Sequence, residues 1–173
     1  LRGETSLDSA LEAIRRAKRW VHFENYIIRN DTTGSRFSEA LEERARAGVA
    51  VRVLTDWLGS RGLGRRLAAE LRAAGVEFRR FNPPRVLDLL GNAARDHRKL
   101  VVTDAGTAIV GGLCIGDEWA GDLAHGIQPW RDTAIQMDGP AAMALAHAFE
   151  QTWTLAGGVI PPGRHAGEFA AAG

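Results

Sequence analysis

A single cysteine, Cys114, stands among the 173 residues, so no intrachain disulfide can form and no thiolate zinc cluster can assemble. No apolar run approaches the roughly 20 residues that a membrane-spanning helix requires, and no signal peptide is visible. An excess of charge is missing as well: 22 basic residues face 21 acidic ones. That balance lacks the electrostatic footprint of a dedicated nucleic-acid binder, so a charged substrate has to be held by a local site. Lysine is scarcest of all, with Lys18 and Lys99 the only two against 20 arginines. Arginine serves wherever a generic cation is wanted, which makes each lysine a candidate for chemistry that an ammonium performs. The chain begins at Leu1 and not at methionine, which suggests a fragment or a processed chain whose membrane segment, if it had one, lies in the missing part.

An apolar content of 45% suits one compact domain with a real core. Leu7, Leu11 and Ile14 recur at helical intervals behind a capping-box-like Thr5 and Asp8. A strand is expected over 21–28, a helix over 35–47 with Phe37 and Leu41 on one face and Gly48 as its stop, and a buried strand over 49–54. A helix over 64–74, halted by Gly75, leads to a strand over 76–81. This alternation means a parallel sheet covered by helices. After Pro83 and Pro84 come an apolar segment, 85–90, and a small polar one, 91–96. Strands over 97–103 and 107–110 flank a turn in which Gly106 supplies positive φ. A strand over 133–137 and a helix opened by Asp138-Gly139-Pro140 and running to about Trp153 complete the domain, 1–156. Residues 157–173, rich in Gly, Pro and Ala, read as linker or tail. No internal repeat is present. The expected fold class is α/β, a single domain with a mixed β-sheet sandwiched between helices.

The informative stretch is His97-Arg98-Lys99, followed four residues later by Asp104. Residues two apart on a strand share a face, so His97 and Lys99 project together. An imidazole can attack phosphorus and form a covalent intermediate while an ammonium neutralises the non-bridging oxygens. At Gly111-Gly112 bare backbone can approach a phosphate closely. A chain of this composition produces such a His-Lys-Asp spacing by chance roughly 0.003 times, which weighs against an edge strand with incidental charges. No metal-ligand spacing occurs around His22, His125, His147 or His165, and neither a metal nor a cofactor is expected.

The run 97–104 followed by Gly111-Gly112 resembles the phospholipase D superfamily signature. Arg95 before it, 115–119 and 130–133 after it, and Glu24-Asn25-Tyr26-Ile27 upstream resemble the bacterial cardiolipin synthase branch. The resemblance implies a mixed sheet between helix layers, with two such halves meeting at one active site. It makes His97 the nucleophile or leaving-group acid and Lys99 a phosphate ligand. Asp132 becomes the carboxylate behind the histidine, and Asp104 a salt-bridging residue that shapes the hairpin. Glu24 becomes a support for the lysine or histidine, and Gly111, Gly112 and Arg95 fall on the substrate side. Where the family usually places asparagine this chain has Cys114, a much weaker donor to a phosphate oxygen.

One motif supplies one histidine, whereas the chemistry of the family needs two. The implied partner is a second half of the same kind, in the same protein or in a homodimer, and the implied substrate is a phospholipid met at a membrane surface. The implied location is the cytoplasmic face of a bacterial membrane, or a soluble fragment of a membrane-associated protein. Three functions stay open: a cardiolipin synthase-like half, a nuclease of the phospholipase D type, and a silent half that pairs with an active one. Nucleic acid is the disfavoured substrate because net charge is near zero. Val86, Leu87, Leu89 and Leu90 are expected near the mouth of the cleft, where an acyl chain would lie.

Overall fold

The computed structural model describes residues 3–84, 94–162 and 166–167. The apolar segment 85–90 and its expected place at the cleft mouth fall outside them. Helix α1 (Gly3–Arg16) leads into β1 (Trp20–Asn25), α2 (Thr32–Arg46), β2 (Ala50–Asp56), α3 (Gly64–Ala73) and β3 (Glu77–Phe81). The second part holds β4 (Lys99–Thr103), β5 (Thr107–Val110), the short α4 (Asp117–Ala120), β6 (Ile135–Asp138) and α5 (Pro140–Leu155). The six strands form one sheet in the order β3-β2-β1-β4-β5-β6. β1, β2 and β3 run parallel, and β4, β5 and β6 continue antiparallel from β1. The sheet is therefore mixed, as the sequence pattern requires.

Strand alternation divides the interior in two. Val21, Phe23, Val51, Val53 and Val101 pack against Leu11 and Ile14 of α1, Phe37 and Leu41 of α2, and Leu71 of α3. Trp20, Leu54, Leu100 and Val102 face the other way, onto Ala142, Ala146, Phe149 and Trp153 of α5. Ile160 and Ala166, beyond α5, are buried in that second layer. Among the described residues no helix is long and apolar enough to cross a membrane.

Several boundaries depart from the pattern for local reasons. β1 stops at Asn25, because its side chain accepts from the Ile27 amide at 3.3 Å and turns the chain off the sheet. Ile28 then bridges to Ile115. α2 begins at Thr32, since the Asp31 carboxylate caps the Gly34 amide at 2.9 Å. β4 begins at Lys99, the residue opposite Asn25; with β1 ended, nothing remains for His97 to pair with. Gly106, at φ 72°, makes the expected hairpin turn.

Candidate active site

The carboxyl ends of β1, β2 and β3 and the start of β4 lie at one end of the sheet, where open α/β sheets commonly hold their ligands. His97 is exposed just beyond that end, while Lys99 is buried within it. The Lys99 Nζ lies 3.1 Å from His97 Nδ1 and donates to the His97 carbonyl at 2.7 Å. Lys99 also lines a narrow cleft with Asn25, Gly111, Leu113 and Asp132. Burial lowers its pKa, against the opposing influence of Cys114, Asp96 and Asp132.

Tyr26 completes this corner, and sequence reasoning missed it. Its ring lies 4.6 Å from the His97 ring, and Lys99 Nζ stands 5.3 Å above it. Simple alternation assigns Tyr26 to the face of Glu24. The turn at Asn25 carries it to the side of the motif instead. The signal that could have found it was the asparagine itself, a residue that hydrogen-bonds its own backbone two residues on.

Asp132 is not joined to His97. Its Oδ2 accepts from the Gly112 amide at 2.7 Å, and a Cβ added at Gly112 would come within 2.6 Å of its Oδ1. The close approach expected of a phosphate at the glycine pair is made here by a carboxylate. Asp104 is not brought to the cleft either. It follows the far end of β4, roughly 16 Å from Lys99 at ~3.3 Å per strand residue. There its Oδ1 accepts from the Lys18 and Trp20 amides at 2.9 and 3.3 Å, a backbone clamp in place of the expected salt bridge.

Glu24 is fully buried and faces α5, away from Lys99. It accepts from Arg98 Nη2 and Nε at 2.7 and 3.2 Å, so it holds the middle residue of the motif and neither of its neighbours. Arg98 also donates to the Thr152 hydroxyl and the Ala148 carbonyl of α5. Burial, and next the neighbouring Asp96, push the Glu24 pKa up to about 9, with Arg98 pulling the other way. Arg95 is half-buried, 3.9 Å from Asp56 Oδ2. Cys114 is buried, and burial raises its thiol pKa against the influence of Lys99. A further brace steadies the loop after the glycines. The Asp117 carboxylate accepts from the Thr33 amide and hydroxyl at 2.8 and 2.6 Å, while its own amide donates to Asp31 at 2.8 Å. Among the described residues no group of three His, Cys, Asp or Glu side chains gathers where it could hold a metal ion.

Residues 10–119 match the family model described as cardiolipin synthase, PLD-like domain. The chain is 42% identical over 153 residues to the cardiolipin synthase of Geobacillus kaustophilus, covering 87% of this chain and 30% of that protein. It is 37% identical over 163 residues to cardiolipin synthase A of Pseudomonas fluorescens, covering 94% and 34%. Thus it spans about a third of the length of these curated relatives. Its fold matches that of Nuc, a phospholipase D family member from Salmonella typhimurium, with a TM-score of 0.63 at 18% identity and 86% of each chain covered.

Proposed function

Because the chain belongs to the cardiolipin synthase, phospholipase D-like domain family, we propose that it supplies one half of a site that moves a phosphatidyl group between alcohols, or to water, through a phosphohistidine. The observation that carries this reading is the contact of a buried ammonium with an exposed imidazole, Lys99 Nζ to His97 Nδ1 at 3.1 Å. An ammonium has protons and no lone pair, so it donates and Nδ1 accepts. The ring proton then sits on Nε2 and the ring is neutral; to act as the leaving-group acid it must first gain a proton on Nδ1. To attack phosphorus the same ring must present the Nε2 lone pair and give Nδ1–H to an acceptor. Asp132 is the carboxylate for that task once a substrate phosphate takes its place on the Gly112 amide.

Two halves divide the work. One histidine forms the P–N bond as the P–O bond to the leaving alcohol breaks, and the other protonates that oxygen. The second histidine then takes the proton of the incoming hydroxyl, whose oxygen attacks phosphorus and releases the first. Lys99 neutralises the non-bridging oxygens throughout. The substrate is a phospholipid at a bacterial membrane surface, and the partner is a second half in the same protein or in a homodimer.

Rapid quenching of the intact protein with phosphorus-labelled phospholipid tests this. The expected product is a protein-bound label stable to alkali and lost in acid, abolished by substituting the motif histidine that attacks. Turnover of nucleic-acid phosphodiesters alone would sink the lipid reading. The silent-half reading rests on Cys114, since loss of one oxyanion donor costs about 100-fold to 1,000-fold in rate. It prevails if His97→Ala leaves the turnover of the intact protein unchanged.

A further inference from the structure

On the face turned to α5, two buried carboxyl groups look into the same space. Glu24 is fully buried and Asp96 nearly so. Among the described residues Arg98 is the cation they share: it bonds Glu24 Oε1 at 2.7 Å, and its Nε stands 3.6 Å from Asp96 Oδ1. The remaining oxygens, Glu24 Oε2 and Asp96 Oδ2, are buried without an N–H or O–H donor, and the two side chains sit on the same guanidinium edge, with Arg98 Nε 3.2 Å from Glu24 Oε1 and 3.6 Å from Asp96 Oδ1. Two carboxylates offer only acceptors and cannot bond; one proton makes one of them a donor. The ion pairs agree: among the described residues one guanidinium, that of Arg98, lies within 4 Å of these two buried carboxyl groups, so two full charges on them would be compensated by one.

We propose that Glu24 and Asp96 share one proton, and that this acid pair, gripped by Arg98, fixes the backbone from which His97 and Lys99 project. The residues on both sides of His97 are tied down. The Asp96 amide donates to Asp56 Oδ2 at 3.1 Å, and the Arg98 amide donates to Asp96 Oδ1 at 3.3 Å. Both members of the pair are positioning residues. Among the described residues the other charged or titratable groups on this face are Asp56 and Arg52 of β2, Glu77 and Arg79 of β3, His22 of β1 and Arg95; Glu77 pairs with Arg52 at 3.3 Å, and Arg79 donates to the Ala156 carbonyl at 3.3 Å. From α5 come the Thr152 hydroxyl and Glu150, whose Oε1 accepts from the Ala166 amide at 2.7 Å. Asp56 is occupied by the Leu58 and Gly59 amides at 2.8 and 3.0 Å, and His22 by Arg52 at 3.2 Å. Burial in this setting holds Glu24 protonated up to about 9. Because this lies above the ordinary carboxyl value, the stability it contributes is complete in acid and is lost as pH rises through about 9.

The shared proton stands whatever reaction the chain performs; only its positioning role rests on the function proposed above. Infrared spectroscopy of the intact protein at neutral pH tests the proton. The wild type is expected to show a protonated-carboxyl carbonyl band that shifts in deuterium oxide. Glu24→Gln and Asp96→Asn should each abolish it, because an amide N–H then takes the place of the shared proton. No band in the wild type, or a band that survives Asp96→Asn, overturns the pair. Thermal melts supply a second reading: the alkaline decline through about pH 9 should flatten in Glu24→Gln. An unchanged decline in a folded variant counts against the proposal. The positioning role reads in the pH–rate profile, whose alkaline limb should move to higher pH in Glu24→Gln. A limb that stays in place overturns that role and leaves the phosphohistidine reading intact.

Discussion

Lys99 has given up most of its hydration to the sheet, and burial lowers its pKa. As pH rises, its ammonium is lost before that of an exposed lysine, and a phosphate in the cleft loses its countercharge. Turnover is therefore expected to fall at a pH below the ordinary lysine range. Lys99→Arg should remove the lysine's share of that limb, leaving the part that Glu24 sets, at a lower maximal rate, because a guanidinium stays charged but does not reproduce a point charge; pH–rate profiles of both proteins check this. At Cys114 an amide would restore a strong donor, so Cys114→Asn is expected to raise turnover by about tenfold or more, as measured by kcat on phospholipid. An unaltered kcat would show that the thiol position has no part in the reaction. The His97–Lys99 pair could be read from sequence because a two-residue spacing in extended chain favours one side, and the contact holds although β4 itself starts only at Lys99. Tyr26 and Asp132 could not be, since a side-chain turn relocates one and a backbone amide captures the other.

β4 is held between unlike ends. Its start, at Lys99, opens into the cleft; past its other end the Asp104 carboxylate clasps the amides that lead into β1. Asp104→Ala is expected to cost about 1–2 kcal/mol of stability by leaving the part-buried Trp20 N–H without this acceptor, with kcat per folded molecule unaffected; denaturant melts and active-site titration separate the two. Among the described residues α5, with Ile160 and Ala166 beyond it, covers its face of the sheet, and Phe149 stacks on His22 at 4.4 Å and on Trp153 at 5.8 Å. Phe149→Ala should cost about 3–5 kcal/mol, seen as a shift in denaturation midpoint. The alternation of apolar runs and capped helices announced these elements and their order. Their ends were hidden because Asn25 and Asp31 set them through side-chain bonds to nearby amides.

The molecule presents one His97 and one Lys99, while two-histidine chemistry needs two motifs. In the intact protein the trapped phosphohistidine is expected to saturate at one per two motif copies, whether the second copy lies in the same chain or in another. Labelling stoichiometry, with the mass in solution from sedimentation, distinguishes those cases; one label per motif would refute the pairing. The mixed sheet and the motif were evident from the sequence because both are periodic. The buried acid pair was not, since the burial of Glu24 and Asp96 on one face follows from the placement of α5, which no local spacing encodes.

The motif is split across the sheet, with His97 and Lys99 on the cleft side and Arg98 on the side of α5. Its two surfaces are therefore open to selection separately. Changes at Thr152, whose hydroxyl holds the guanidinium from behind, can retune how firmly His97 and Lys99 are held without altering either of those two side chains. Natural drift or a directed library confined to α5 has a route to faster or slower catalysis at constant specificity.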